Sequence, residues 1–274
     1  AHVFGSPIFK ADQHLDPVQA FRADLPFAVF EYARSAQGTS DSKDQLDRLM
    51  HICYMVSTYG PYTDLAERMA EICPPGLTKS IFLNSGSEAI ENAVKIARSA
   101  TKKAWLVSFK TAFHGRTLLG ISLTGKEKPY REGFGPLVRE VLLADYAYPY
   151  RDPQGRPPAE VAKARVEELE RLINQPEVAG RVAAILAEPV QGEGGIIVPP
   201  KEFFPLLRNL CDRYGILLVD DEVQAGMGRT GKMWAIEHWK TVPDLIVSGK
   251  ALGGGLPIGG VTGKAAIMDV PGPA

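Results

Sequence analysis

Five short runs of almost unbroken apolar residues, separated by longer segments with helical periodicity, restrict this chain more than any other feature. They are SIFLN (80–84), AWLVSF (104–109), VAAILAE (182–188), ILLVDD (216–221) and DLIVSG (244–249). A strand buried on both faces needs apolar side chains at successive positions rather than alternate ones. Such strands interleaved with amphipathic helices define an α/β architecture built on a mostly parallel sheet flanked by helices. The intervening segments supply those helices. Residues 87–99 put Ile90, Val94 and Ala97 on one stripe with Ala93 beside it. Residues 159–173 do the same with Val166, Leu169 and Ile173, and residues 201–214 with Phe203, Leu207, Leu210, Cys211 and Tyr214. Pro199-Pro200 stands just ahead of the last of these, where proline suits a helix start.

Composition narrows the function classes. The chain has 274 residues and a formal net charge of −1, so nothing marks it as a partner of nucleic acid. Cys53, Cys73 and Cys211 are widely spaced and odd in number, which fits neither a zinc site nor a disulfide framework. A reduced, cytoplasmic setting is the expectation. No apolar run approaches the roughly 18 residues of a membrane span, and the N-terminus has no signal-peptide pattern. Residues 1–45 form an atypical N-terminal segment, with a polar linker-like stretch at 36–44, and the α/β pattern occupies 46–274.

In an open α/β sheet ligands bind outside the carboxyl ends of the strands. The polar groups of this chain gather at those ends. Ser85-Gly86-Ser87 follows the first run, Phe113-His114-Gly115-Arg116 the second, Glu188 ends the third, Asp221 ends the fourth, and Lys250 follows the fifth. Each has a bland reading. Asn84–Glu88 (NSGSE) can be an ordinary capped helix, with Ser85 and Glu88 as a capping box, or a phosphate-binding helix N-terminus. Lys250, between an apolar strand and Gly253-Gly254-Gly255, can be a solvated loop lysine or a desolvated amine able to form a Schiff base; the spacing of a nucleoside-triphosphate loop is missing. Asp220, Asp221 and Glu222 can cap a helix, hold magnesium for a hydrolase, or face a protonated pyridine nitrogen. Phe113 and His114 offer rings to a flat cofactor or to the core. Arg116 offers a fork to a carboxylate or to solvent. Glu188 and Glu193 lie in the glycine-rich turn EPVQGEGG; a two-carboxylate glycosidase is set aside because no sugar-stacking aromatics cluster nearby.

Together the strings NSGSEAIENAVKIAR, FHGRT, EPVQGEGG, VDDEVQAGMGRTG and SGKALGGGLPIGGVTG resemble the class III pyridoxal-phosphate aminotransferases in content, order and spacing. The segments ENAVKIAR and LTGKEKPYREGFGP look most like 4-aminobutyrate aminotransferases, with acetylornithine and ornithine enzymes as the near alternative. The resemblance implies the aspartate-aminotransferase-like large domain and a dimer or higher homo-oligomer. It implies transfer of an amino group from an ω-amino acid to 2-oxoglutarate. Lys250 would carry pyridoxal phosphate and move the proton, and Asp221 would pair with the pyridine nitrogen. Val223 would pack on the ring, Gln224 would bond its phenolic oxygen, Gly86 and Ser87 would hold the phosphate, and Phe113 would stack on the other face with His114 beside it. Among substrate-binding residues Arg116 would grip the substrate carboxylate, Glu193 would pair with a C-terminal arginine and gate dual-substrate binding, and Glu188 would support that network. No metal is implied.

The family pattern also continues beyond this sequence, into a Gly-Gly-Thr loop and a C-terminal small domain that supplies the arginine partner of Glu193. Residues 1–45 do not match the family's usual opening. On that comparison the chain by itself is expected to turn over little substrate, and an inactive fragment binding cofactor or a partner subunit is the alternative.

Overall fold

The computed structural model describes residues 43–49, 53–54 and 56–271; the expectation for segment 1–45 falls almost wholly outside them. The elements are α1 (Gly60–Ile72), β1 (Leu77–Leu83), α2 (Gly86–Thr101), β2 (Trp105–Phe109), α3 (Leu118–Leu123), β3 (Val141–Ala144), α4 (Pro158–Ile173), β4 (Val182–Ala187), α5 (Phe203–Tyr214), β5 (Leu217–Asp221), β6 (Leu245–Ser248), β7 (Gly259–Lys264) and α6 (Ala265–Met268). One seven-stranded sheet has the order β1-β7-β6-β5-β4-β2-β3. Strands β2 to β6 pair in parallel, while β7 runs antiparallel to both β6 and β1, so β1 points the same way as the parallel set and only β7 is reversed.

The five apolar runs are all strands, and β4 is buried at every position. Helices cover both faces. On one face α1, α4 and α5 pack Met69, Val166, Leu169, Phe203, Leu207 and Leu210 against Leu218 and Ile246. On the other, Ile90, Val94, Ala97 and Leu119 from α2 and α3 lie on Leu186, Val219 and Val247. The strand period of two produces this division: Leu218 and Val219 are neighbours in β5 but belong to opposite cores. Helix α5 begins at Phe203, three residues beyond Pro200, so the prolines shape the approach and not the first turn.

Parallel packing sends the carboxyl ends of β1, β2, β4, β5 and β6 to one edge of the sheet. The expected site residues start there. Aromatic packing anchors the layer beneath: the Phe203 ring meets Phe109, Tyr146 and Phe204 at centroid distances of 5.9, 5.0 and 5.3 Å. Because Phe203 is fully buried, Phe203→Ala is expected to cost about 3–5 kcal/mol in urea unfolding. A loss below about 1 kcal/mol would show that this layer does not support the sheet.

Candidate functional site

The crevice is assembled from turns that follow five strands. After β1 the chain enters α2, where Ser85 caps the helix by accepting from the Glu88 amide at 3.2 Å. The Glu88 carboxylate reaches back to the amide of Asn84, at 2.7 Å, one residue earlier than a capping box requires. The opening amides of α2, at Gly86 and Ser87, have no partner within the helix. Glycine is required at position 86, since a Cβ there would sit 2.8 Å from Val223 Cγ1. Val223 and the start of α2 are therefore in direct contact, and the branched valine forms an apolar floor. Gly115 is required as well: its φ is +107°, and a Cβ would fall 2.1 Å from Ser87 Oγ. That oxygen also accepts from the Arg116 amide at 3.3 Å, which ties the turn after β2 to the start of α2.

At the centre, His114 Nδ1 and Asp221 Oδ2 are 2.7 Å apart with both side chains buried. Asp221 Oδ1 accepts from the Val223 amide at 3.0 Å, so neither oxygen can swing away. Glu188 is held in the same way, Oε1 accepting from the Phe113 amide at 3.0 Å and Oε2 from the Gly192 amide at 3.2 Å. Burial favours neutral His114, but the hydrogen bond and charge of Asp221, with the charge of Glu188 behind them, outweigh it and raise its pKa. Burial drives the Glu188 carboxyl up to about 7, against the pull of His114. His114, Asp221 and Glu188 are thus one electrostatic unit.

Lys250 begins a 3-10 turn, Lys250–Gly253, directly after β6. Its φ of 37° lies in the left-handed region, which costs a non-glycine residue on the order of 1–3 kcal/mol and recurs at functional positions. Its Nζ donates to Gln224 Oε1 at 3.0 Å. The Lys250 side chain is exposed among the described residues.

The remaining candidates form a second layer at the mouth. Phe113 is half-buried, and its ring lies 4.8 Å from that of Tyr130. The Tyr130 hydroxyl donates to Glu193 Oε2 at 2.8 Å, and the Arg116 guanidinium lies 5.8 Å from the Tyr130 ring centroid. Sequence reading did not single out Tyr130. It sits in a proline- and glycine-rich stretch without periodicity, and only the likeness of LTGKEKPYREGFGP to the family pointed there. Tyr146 was missed too; its buried hydroxyl donates to the Glu188 carbonyl at 2.8 Å.

The acidic trio does not converge. Asp220 and Asp221 are successive strand residues on opposite faces, Asp221 turns to His114, and Glu222 Oε1 accepts from the Ile236 amide at 2.8 Å. Among the described residues no group of three metal-ligating side chains is placed to share an ion.

A class III aminotransferase family model ("Aminotransferase class-III") matches residues 40–274, and the chain belongs to that family. It is 44% identical over 237 residues to the 4-aminobutyrate aminotransferase of Mycobacterium tuberculosis, covering 84% of this chain and 52% of that protein. The 5-aminovalerate aminotransferase of Pseudomonas aeruginosa is 44% identical over 232 residues, 83% of this chain and 52% of its own. The chain thus spans about half the length of the curated relatives it matches. Among solved structures, an amine transaminase from an uncultivated Pseudomonas species in its PLP-bound form superposes with a TM-score of 0.81 at 32% identity, covering 86% of this chain and 55% of that one.

The His114 titration follows from the geometry. Its pKa is expected above the ordinary value of about 6.5 by NMR. Asp221→Asn removes the main opposing force to burial, so the value should fall. An unchanged His114 titration in that variant would contradict the pairing.

Proposed function

We propose that this chain is the cofactor-binding part of an aminotransferase that takes the amino group of an ω-amino acid, 4-aminobutyrate foremost, and passes it to 2-oxoglutarate. The cofactor is pyridoxal phosphate, and residues 46–274 form its large binding domain. One observation carries the reading: Asp221 is locked at the end of β5, while Lys250, at the end of adjacent β6, reaches Gln224 three residues beyond it. The named activities of the relatives support ω-amino acids over the acetylornithine alternative.

The crevice fits the cofactor's chemistry. Val223 gives a flat ring an apolar floor where glycine 86 leaves room. Gly86 and Ser87 present amides at a helix start, where a phosphate is favoured. Asp221, held by His114 and the Val223 amide, is a fixed anion receptor for a protonated ring nitrogen. Gln224 can bond the phenolic oxygen, and half-buried Phe113 can stack on the ring, with buried His114 behind it holding Asp221. Bound pyridoxal phosphate supplies a carbonyl that condenses with amines and a ring that accepts the electron pair freed when the substrate C–H bond breaks.

The chain's own groups do the rest. The Lys250 amine supplies the nucleophile that holds the cofactor, and once released it is the base that removes and returns the substrate proton. Exclusion of water by bound cofactor would provide the desolvation that the open crevice lacks. Arg116, exposed beside Tyr130, would bind a substrate carboxylate. Glu193 stands across Tyr130 from it and can pair with a second cation when only one carboxylate is present, while Glu188 tunes His114 beneath. We further assign a homo-oligomer in the cytoplasm. The family resemblance supports the first, and the free Cys53, Cys73 and Cys211 favour a reducing compartment for the second.

Incubation with pyridoxal phosphate followed by borohydride is expected to leave one cofactor-sized mass increment on the peptide containing Lys250 and none on the chain carrying Lys250→Ala. Labelling spread over surface lysines, or retained in the variant, would remove Lys250 from this role.

A further inference from the structure

Asp220 and Glu222 flank Asp221 in the chain, and the mechanism uses neither. Both side chains are buried. They stand two residues apart on the same side of the extended chain, since the Glu222 amide continues the β5 ladder by donating to the Val247 carbonyl at 2.9 Å. Among the described residues neither Asp220 oxygen, nor Glu222 Oε2, has a hydrogen-bond partner. Asp220 sits in the β5 register between Ala187 of β4 and Ile246 of β6, on the face packed by α1, α4 and α5. The titratable groups that act on the pair are Asp221, Tyr146 and Cys73. Burial keeps the Tyr146 phenol and the Cys73 thiol neutral, the thiol pushed up to about 12. Among the described residues no cation forms an ion pair with Asp220 or Glu222.

Three consecutive carboxylates, of which only Asp221 has an ion-pair partner among the described residues, would repel one another in a dry interior. Two facing carboxyls in that position keep their protons, because the neutral form both escapes the desolvation cost and lets one hydroxyl donate to the other. We propose that Asp220 and Glu222 form a protonated carboxyl pair that leaves Asp221 the single negative charge at the end of β5. They are positioning residues for the carboxylate that receives the cofactor ring. The assignment rests on the reading of Asp221 given above.

The physical consequences have a definite sign. Burial raises Asp220 well above the carboxylate range and Glu222 to about 8. In the unfolded chain both ionise near pH 4. The folded state therefore binds more protons between about pH 4 and pH 8, and the pair's contribution to stability declines as pH rises through that window.

Three measurements on the full chain without cofactor test this. Infrared spectra at pH 7 should show the C=O stretch of a protonated carboxyl, lost in part in Asp220→Asn and in Glu222→Gln; Glu188→Gln identifies any share from Glu188. Urea midpoints across pH 5–9 should lose part of their downward slope in both variants. His114 should titrate in Asp220→Asn as it does in the unmodified chain, whereas Asp221→Asn lowers its pKa. A missing infrared band, unaltered slopes, or a lowered His114 pKa in Asp220→Asn would each overturn the proposal, the last by showing that Asp220 is charged. If Asp220→Asn fails to fold, Glu222→Gln carries the same readouts. None of these depends on cofactor binding, so failure of pyridoxal phosphate to bind the unmodified chain would refute the functional reading and leave the carboxyl pair standing.

Discussion

The central strands are buried on both faces, and a carboxylate or ammonium cannot be placed within them without several kcal/mol of desolvation cost. Charged groups are therefore pushed to the strand ends. Because the parallel set presents its carboxyl ends along one edge, those groups meet there. Asp221 is the last residue of β5, Glu188 the first beyond β4, and Lys250 follows β6 by two residues. The same constraint that builds the core assembles the site.

Within that crevice, strand alternation separates functions that the sequence writes side by side. Asp221 turns to one face and meets His114, while Asp220 turns to the other and meets Glu222. On the first face a histidine and a backbone amide hold the charge of Asp221 in place. On the second no charge is compensated, so protons do the work of neutralisation. A strained Lys250 backbone at the neighbouring strand end completes the arrangement.

Much of this could be read from the residues. The runs forming β4, β5 and β6 are apolar at successive positions, and two-sided burial leaves that signal unmistakable. Strand β7 was not legible, since GGVTGK has too little apolar content; its glycines give way to close neighbours, with a Cβ at 259 falling 2.3 Å from the Ser85 carbonyl. Strand β3 is only four residues long, and α3 only six, too short for periodicity to register. In the site, Lys250 and Asp221 were legible because each ends a strand. Tyr130 and Tyr146 were not, because tyrosines on loops acquire their partners only when the chain folds. Of the two readings of Lys250, the solvated one describes the chain as it stands, because glycines remove side-chain cover instead of supplying it. The magnesium reading of the acidic trio ignored the strand period, which turns adjacent residues apart.

The central claim is that Asp221 holds the ring nitrogen of pyridoxal phosphate in its protonated form. Nitrogen NMR of cofactor labelled with 15N at that ring position, bound to this chain, tests it most directly. The account predicts the chemical shift of a protonated pyridine nitrogen in the unmodified protein and a shift to the unprotonated value in Asp221→Asn. An unprotonated nitrogen in the unmodified protein, or the same shift in both, would contradict it.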